Sequence, residues 1–489
     1  MESQSGSICK HTVLKLESSS NAAQVGYRRP TEEQRAAATT RQGTIASLQG
    51  KRKRDADLNA ATPPPASFPA LLVLPGDDLS LDPSYPPQSL RSWVREKERN
   101  KVTSERNTVY VAAPPDVTPD VEHLCKLSRP KEESCGNFKA QSRLPPALQG
   151  TPGSRKNFEK IQSVGVPCVE DVKDYLAAFY HGMPVKLLPP PKLSFTAWNN
   201  GKFKSSKAKK SLAEPRFIGL NAFSNYTRIR IRPTANAAFP CQLNLDDLLD
   251  AAISMLPDDA YALLLLVNHD LYEDDEDEFV CGRAYGGSRV AVISTARYDP
   301  ELDEKHNVER EHSWPASHCN AYMQSCCDEE SASTARPRTK AKAQNSDCNQ
   351  PSLLSSFTTN LPLQLSLSPY QAALSAHNTL PAPSSSSPSL WLSRVCRTAS
   401  HELGHCFGID HCVYYACSMQ GSGSLAEDAR QPPYLCPVDL AKVLQATDGD
   451  ARGRYGELLA FCERHADGHL FSAFAAWIRT RLVEMKTLI

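Results

Sequence analysis

The feature that most restricts how this chain can fold is a set of five residues near its C-terminal end, His401-Glu402-(x)2-His405-(x)2-Gly408-(x)2-His411. Residues i and i+4 of an α-helix share a face, so a helix over Leu392 to Phe407 lets His401 and His405 present two imidazoles to one cation. Glycine reaches positive φ without steric cost, so Gly408 can end that helix sharply and swing His411 back as a third ligand. Three histidines leave the fourth tetrahedral position of a zinc ion open, which is the arrangement of a catalytic site. There zinc lowers the pKa of a bound water from roughly 15.7 towards about 7. Glu402, beside the first ligand, is placed to act as general base, taking the proton and passing it to a leaving amine. Five matching residues at fixed offsets arise by chance on the order of once in ten thousand chains of this size.

Four more candidate ligands follow closely. Cys412-(x)4-Cys417 and Cys436 have spacings suited to one tetrahedral structural zinc, and Asp439, three residues further on, is a competent oxygen ligand. Cys406 and Cys462 compete with Asp439 for the fourth place, and buried free thiols are the plainer alternative for the whole set. Met419, two residues after Cys417, is placed to pack beneath the imidazoles as an apolar floor.

Composition narrows the setting. Lys+Arg and Asp+Glu both number 55, so no global field draws the chain to nucleic acid or to an anionic membrane. The segment from Leu425 to Asp450 lacks the basic stripe with interleaved aromatics of a nucleic-acid surface. The longest apolar run, Ala262 to Val267, is far short of the roughly 20 residues of a membrane helix. The N-terminal residues lack the basic start and apolar run of a signal peptide, so the sixteen cysteines read as reduced thiols in a cytoplasmic or nuclear protein. Lys51-Arg52-Lys53-Arg54 is a candidate nuclear import signal, although a solvated charge run is the blander reading.

Along the chain, residues 1–67 read as a disordered polar tail ending in Thr62-Pro63-Pro64-Pro65, and residues 68–165 as a small N-terminal segment plus linker. The main fold is expected over 166–323 and 389–489, separated by a low-complexity insertion, 324–388. Val172, Tyr175, Leu176 and Phe179 recur at helical spacing, and Asp246 to Met255 is amphipathic. Strands are expected at Leu71–Leu74, Val109–Val111, Val185–Leu188, Thr227–Arg232, Leu263–Val267 and Val290–Ile293, with Gly282 to Gly287 as a turn. The mixture predicts an α/β (α+β) fold, a twisted mixed sheet packed with helices.

The string from His401 to Cys412, then Cys417-Ser418-Met419 and Cys436-Pro437-Val438-Asp439, resembles the archaemetzincins over about residues 215–323 and 389–489. The resemblance implies a metzincin-like fold in which an active-site helix bears catalytic zinc on His401, His405 and His411 with Glu402 as base. It also implies a Met-turn at Met419 and a small C-terminal subdomain with a second, structural zinc on Cys412, Cys417 and Cys436. Asp439 stands where the family pattern has its last cysteine. By the same resemblance, the strand around Val290 to Ser294 is the sheet edge that pairs with an extended peptide. No cysteine stands in a Pro-Arg-Cys-Gly inhibitory setting, and Val166-Pro167-Cys168-Val169 reads as incidental. The expectation is a monomeric zinc metallopeptidase with two zinc ions per chain, acting on peptide or protein substrates, in a narrower form as an aminopeptidase. The alternative is a zinc-stabilised peptide-binding module without efficient catalysis.

Overall fold

The computed structural model describes residues 9, 11, 13–44, 66–121, 165–198, 216–223, 225–234, 238–334, 367–381 and 387–487. The apolar run at Ala262 to Val267 becomes the centre of the architecture. It lies in β8 (Ala260–Val267), all eight of whose residues are buried. On either side run β1 (Thr108–Ala112) and β11 (Val290–Ser294), both parallel to it, and β3 (Val185–Leu187) extends the sheet beyond β1. A parallel strand buried on both faces reads as a continuous apolar run rather than an alternation, which is what this segment does. The sheet order is β10-β11-β8-β1-β3, with β10 (Gly282–Tyr285) antiparallel on the β11 edge.

Alternate residues of β8 serve two different cores. Ala262, Leu264 and Leu266 point into a large core shared with the helices Val169–Phe179 and Pro388–Cys406. Leu263, Leu265 and Val267 point the other way, against the helix Leu245–Ser254 and a second sheet. That second sheet runs, in spatial order, Asp116–Val117, Ser194–Ala197, Phe217–Ala222, β6 (Asn225–Pro233), Cys241–Asn244 and Leu271–Tyr272. In β6 the arginines alternate with the fully buried Ile229 and the half-buried Ile231, and Arg230 pairs with Asp247 at 2.9 Å. The fold is thus mixed α/β as expected, built on two sheets where one was anticipated.

Several elements differ from the sequence reading. Residues 13–44, within the expected tail, form a strap with helices Ser20–Gln24 and Glu32–Ala38 laid on the body. A Thr31–Gln34 capping box starts the second helix, and Tyr27 Oη donates to Val413 O at 2.8 Å. Such anchors lie hundreds of residues away, so local polarity conceals them. The strand at Val109–Val111 belongs to the middle of the main sheet rather than to a separate small unit. Leu71–Leu74 is buried but forms no strand, being held instead by backbone bonds to the strap, such as Ser19 N–H to Leu72 O at 2.8 Å. Within the expected insertion the structure describes two helices, Asn320–Thr334 and Pro369–Thr379. Pro369–Thr379 packs its fully buried Tyr370 into the main core, beside the helix His469–Thr487. The Lys51–Arg54 run lies outside the described residues. No helix among the described residues is long and apolar enough to cross a membrane.

Candidate metal centre and active-site cleft

The histidine-bearing helix runs from Pro388 to Cys406, begun by Ser387, whose side chain accepts from Leu390 N–H, with proline at its first position. It crosses the large-core face of the main sheet, against β8, β10 and β11. The carbonyls of Leu403 to His405 accept from the amides of Phe407 to Ile409, and the next three carbonyls are taken up by side-chain donors from elsewhere. Tyr261 Oη donates to Cys406 O at 3.1 Å, Trp93 Nε1 to Phe407 O at 2.9 Å and Gln88 Nε2 to Gly408 O at 3.0 Å. Gly408 has φ +74°, the left-handed conformation that turns the chain back.

This turn brings donor nitrogens of His401, His405 and His411 within 4.8 Å of one another. His401 Nδ1 lies 2.8 Å from Ser418 O and His405 Nδ1 lies 2.7 Å from Ile409 O. A carbonyl only accepts, so each Nδ1 carries the proton and each Nε2 keeps its lone pair for a metal. The two Nε2 atoms are 3.0 Å apart. Two lone pairs held that close repel unless a cation lies between them, so the residues fit a bound zinc ion. Burial, with the neighbouring imidazoles, pulls His401 and His405 down to about 3 and His411 to about 4, which keeps all three neutral and ready to ligate at neutral pH.

Met419 is fully buried directly under this turn. A Cβ added at Gly404 would lie 2.4 Å from Met419 Sδ, so only glycine lets the thioether this close to the helix between the two histidines. Burial pushes the Glu402 carboxyl up to about 7, against the opposing influence of Arg283 and of a hydrogen bond from the Ala284 amide. A carboxylate near neutrality is suited to receiving and returning a proton.

Arg283 and Ala284 belong to β10, which forms one wall of a cleft of about 770 Å³ containing all three histidines and Glu402. Here the sequence reading is corrected twice. Gly282–Tyr285 is a strand, with the turn confined to Gly286–Ser288, and β10 rather than β11 is the sheet edge, because it covers β11 on the side away from β8. The Gly282-to-Gly287 composition reads as a turn, and the pairing that makes its first half a strand is tertiary.

A second cluster lies fully buried behind His411. Cys412, Cys417, Cys436 and Asp439 bring four donor atoms within 4.8 Å of one another, whereas Cys406 and Cys462 are not part of the cluster. The Cys417 and Cys436 thiols each stand 3.4 Å from Asp439 Oδ2, and Cys436 N–H donates to Cys417 Sγ at 3.1 Å. Burial raises the Cys417 and Cys436 thiols well above their usual range and Asp439 to about 7. Burial also acts upward on Cys412, but hydrogen bonds from its neighbours outweigh it, so its thiol is held well below the usual range. Four groups that cannot all ionise in one dry pocket by themselves can do so around a dication, so this donor set also fits zinc.

Sequence reasoning missed the residues that support these clusters. Lys442 Nζ pairs with Asp439 Oδ1 at 2.8 Å, and the same ammonium donates to Gln88 Oε1 at 2.8 Å. Gln88 Nε2 in turn reaches Asp410 Oδ2 at 2.8 Å, linking the cysteine cluster to the loop before His411. Asp78 Oδ2 lies 3.8 Å from His411 Nδ1, and the Tyr85 ring centre stands 5.7 Å from that of His411. The i,i+3 spacing of Asp439 and Lys442 was a usable signal for one pair. Gln88, Asp78 and Tyr85 carried none, being more than 300 residues away in sequence.

The model of peptidase family M54 matches residues 369–444, the stretch that contains both clusters. Archaemetzincin-2 of Macaca fascicularis is 24% identical over 327 residues, covering 65% of this chain and 67% of that protein. The chain is similar to the archaemetzincins, and the likeness supports a zinc metallopeptidase. Archaemetzincin-2 of Homo sapiens is also 24% identical, covering 64% of this chain and 66% of that protein, so the likeness spans about two thirds of these relatives. Archaemetzincin of Methanopyrus kandleri is 47% identical over a short stretch, 49 residues. The crystal structure of archaemetzincin from Methanopyrus kandleri is 15% identical, covers 71% of this chain and 97% of that one, and has a TM-score of 0.28, too low to bear on the fold.

Proposed function

We propose that this chain hydrolyses peptide bonds, with His401, His405 and His411 as ligands of a catalytic zinc and Glu402 as general base. The observation that carries the reading is the pair of opposed Nε2 atoms of His401 and His405, with Glu402 in the same cleft. Bound at these histidines, zinc supplies a Lewis acid that polarises a carbonyl and acidifies water. The chain's own residues do the rest. Ser418 O and Ile409 O fix the imidazole tautomers, and Met419 holds the turn from below. Glu402 takes a proton from the attacking water and returns it to the departing amine. The exposed edge of β10 offers backbone donors and acceptors to an extended peptide.

Cys412, Cys417, Cys436 and Asp439 are proposed as ligands of a second, structural zinc, giving two ions per chain and stabilising a small C-terminal subdomain. The catalytic unit, of metzincin-like form, is assigned to residues 166–323 and 389–489, with β1 completing its sheet. We assign the chain to a reducing compartment, cytoplasmic or nuclear, where thiolate ligands persist, and to action as a monomer without nucleic-acid or membrane partners. Attack at free N-termini is the narrower form of the reading. It is supported by Glu278, an acidic residue lining the cleft that an α-ammonium can meet, whereas Asp428 in the same cleft is paired with Arg397. Mass spectrometry of a peptide library offered with free and with acetylated N-termini tests it. Cleavage of the free set alone, abolished in Glu402→Gln, is the expected result. Cutting of both sets discards the chain-end restriction, and no cutting of either discards the peptidase reading.

A further inference from the structure

Away from the cleft, the start of the N-terminal strap meets residues 309–320 in a cluster that the reaction does not use. Cys9, His312 and Cys319 bring one donor atom each within 4.8 Å of one another, and the two sulfurs are 3.6 Å apart. His312 is 8% exposed and Cys319 2%. His312 Nδ1 lies 2.7 Å from Glu309 Oε1, so it donates its proton there and leaves Nε2 as a lone-pair nitrogen. That Nε2 is buried and has no hydrogen-bond partner among the described residues. His11, 7% exposed, stands edge-on at 5.1 Å between ring centres, and its Nε2 is likewise buried without a partner. Buried polar atoms are nearly always satisfied, so two orphaned imidazole nitrogens beside two thiols call for a ligand.

We propose that Cys9, Cys319 and His312 bind a further zinc ion, with His11 beside the fourth position. Two thiolates and an imidazole backed by a carboxylate form a donor set for a borderline-soft, tetrahedral dication. Binding displaces the two thiol protons to solvent and forms two Zn–S bonds and one Zn–N bond. Its place in the fold gives it a task. Around it the strap is zipped to the body by the Leu14–Cys319 bridge and by Asn320 N–H donating to Val13 O at 2.9 Å. Further along, Tyr27 and Arg29 of the same strap donate to the carbonyls of Val413 and Tyr414, between Cys412 and Cys417. The ion therefore pins one end of a strap whose other end steadies the loop after His411. This site is independent of the catalytic reading and survives its failure.

The test is alkylation of the full-length, zinc-loaded protein under a phosphine reductant, with labelled cysteines mapped by mass spectrometry. Cys9, only partly buried, is the reporter. The expected result is that Cys9 is protected in wild type and labelled in His312→Gln, while Cys412, Cys417 and Cys436 stay protected in both. Elemental analysis should find one zinc fewer per chain in His312→Gln. Ready labelling of Cys9 in zinc-loaded wild type overturns the proposal, as does an unchanged zinc count in the variant. Protection found only in a parallel sample without the phosphine also overturns it, showing a Cys9–Cys319 disulfide in place of a metal. If the variant fails to fold, labelling of wild-type Cys9 before and after a zinc chelator, at constant reductant, still decides. Equal labelling in the two states rejects the site.

Discussion

His401 and His405 hold their Nε2 atoms 3.0 Å apart while both Nδ1–H groups are committed to carbonyls, so the site is built around a charge that the side chains do not supply. Removing zinc should therefore destabilise the fold. At free zinc one hundred times the dissociation constant, a single site adds about 2.7 kcal/mol. Calorimetry of chelated and zinc-restored protein should show a zinc-dependent rise in melting temperature that is smaller in His405→Ala. An equal rise in the two proteins contradicts the assignment of His405 as a ligand.

Lys442 is almost completely buried and its ammonium rests on Asp439. Breaking a buried pair on one side leaves the other charge uncompensated, at a cost of about 3–5 kcal/mol. Lys442→Met should lose stability of that order in urea titrations and release the second zinc faster to a chromogenic chelator. Unchanged release shows that the ammonium does not support the cysteine cluster.

Gly404 and Met419 are in contact too close for any side chain at 404. Gly404→Ala should cost about 1–3 kcal/mol by overpacking and lower turnover by displacing the histidines. Combined with Met419→Ala, the two losses should be less than additive, because each substitution concerns the same contact. Strict additivity in the double-mutant cycle excludes the floor role of Met419.

His318 provides a pH dependence outside the metal sites. Burial, as the main cause, lowers it to about 4, with Nε2–H donating to Ala70 O at 2.8 Å and Tyr370 Oη 2.9 Å from Nδ1. The unfolded chain takes up this proton near pH 6.5, whereas the folded chain refuses it until about 4. Stability from this residue is thus full above 6.5 and falls as pH drops through that window, by roughly 3 kcal/mol in total. His318→Gln should be less stable than wild type at pH 7 but flatter between pH 6.5 and 4 in chemical denaturation. Parallel profiles contradict the claim.

How much of this could be read from the sequence depended on the distance over which each feature is determined. The helix Val169–Phe179 was legible because its apolar period is internal to eleven residues, and the buried β8 because four consecutive leucines leave little choice. The convergence of His401, His405 and His411 was legible because helix pitch and one glycine determine it within eleven positions. β10 was not, since its strand character comes from pairing with β11 and not from its glycine-rich composition. Nor was the strap, whose order derives from Tyr27 and Arg29 reaching carbonyls more than 380 residues away. The same holds for Gln88 and Asp78, which reach the site from a loop and from the start of the four-residue helix Asp78–Leu81, too short to leave a periodic signal.

The most direct test of the central claim is single-turnover cleavage of a good peptide substrate by wild type and Glu402→Gln, with zinc measured in the same samples. The account predicts equal zinc in both proteins and a cleavage rate at least 100-fold lower in the variant, in line with the roughly 10²–10⁴-fold contribution of general-base catalysis. Equal zinc with an equal rate would contradict it, because the proton would then be moved by a group other than Glu402.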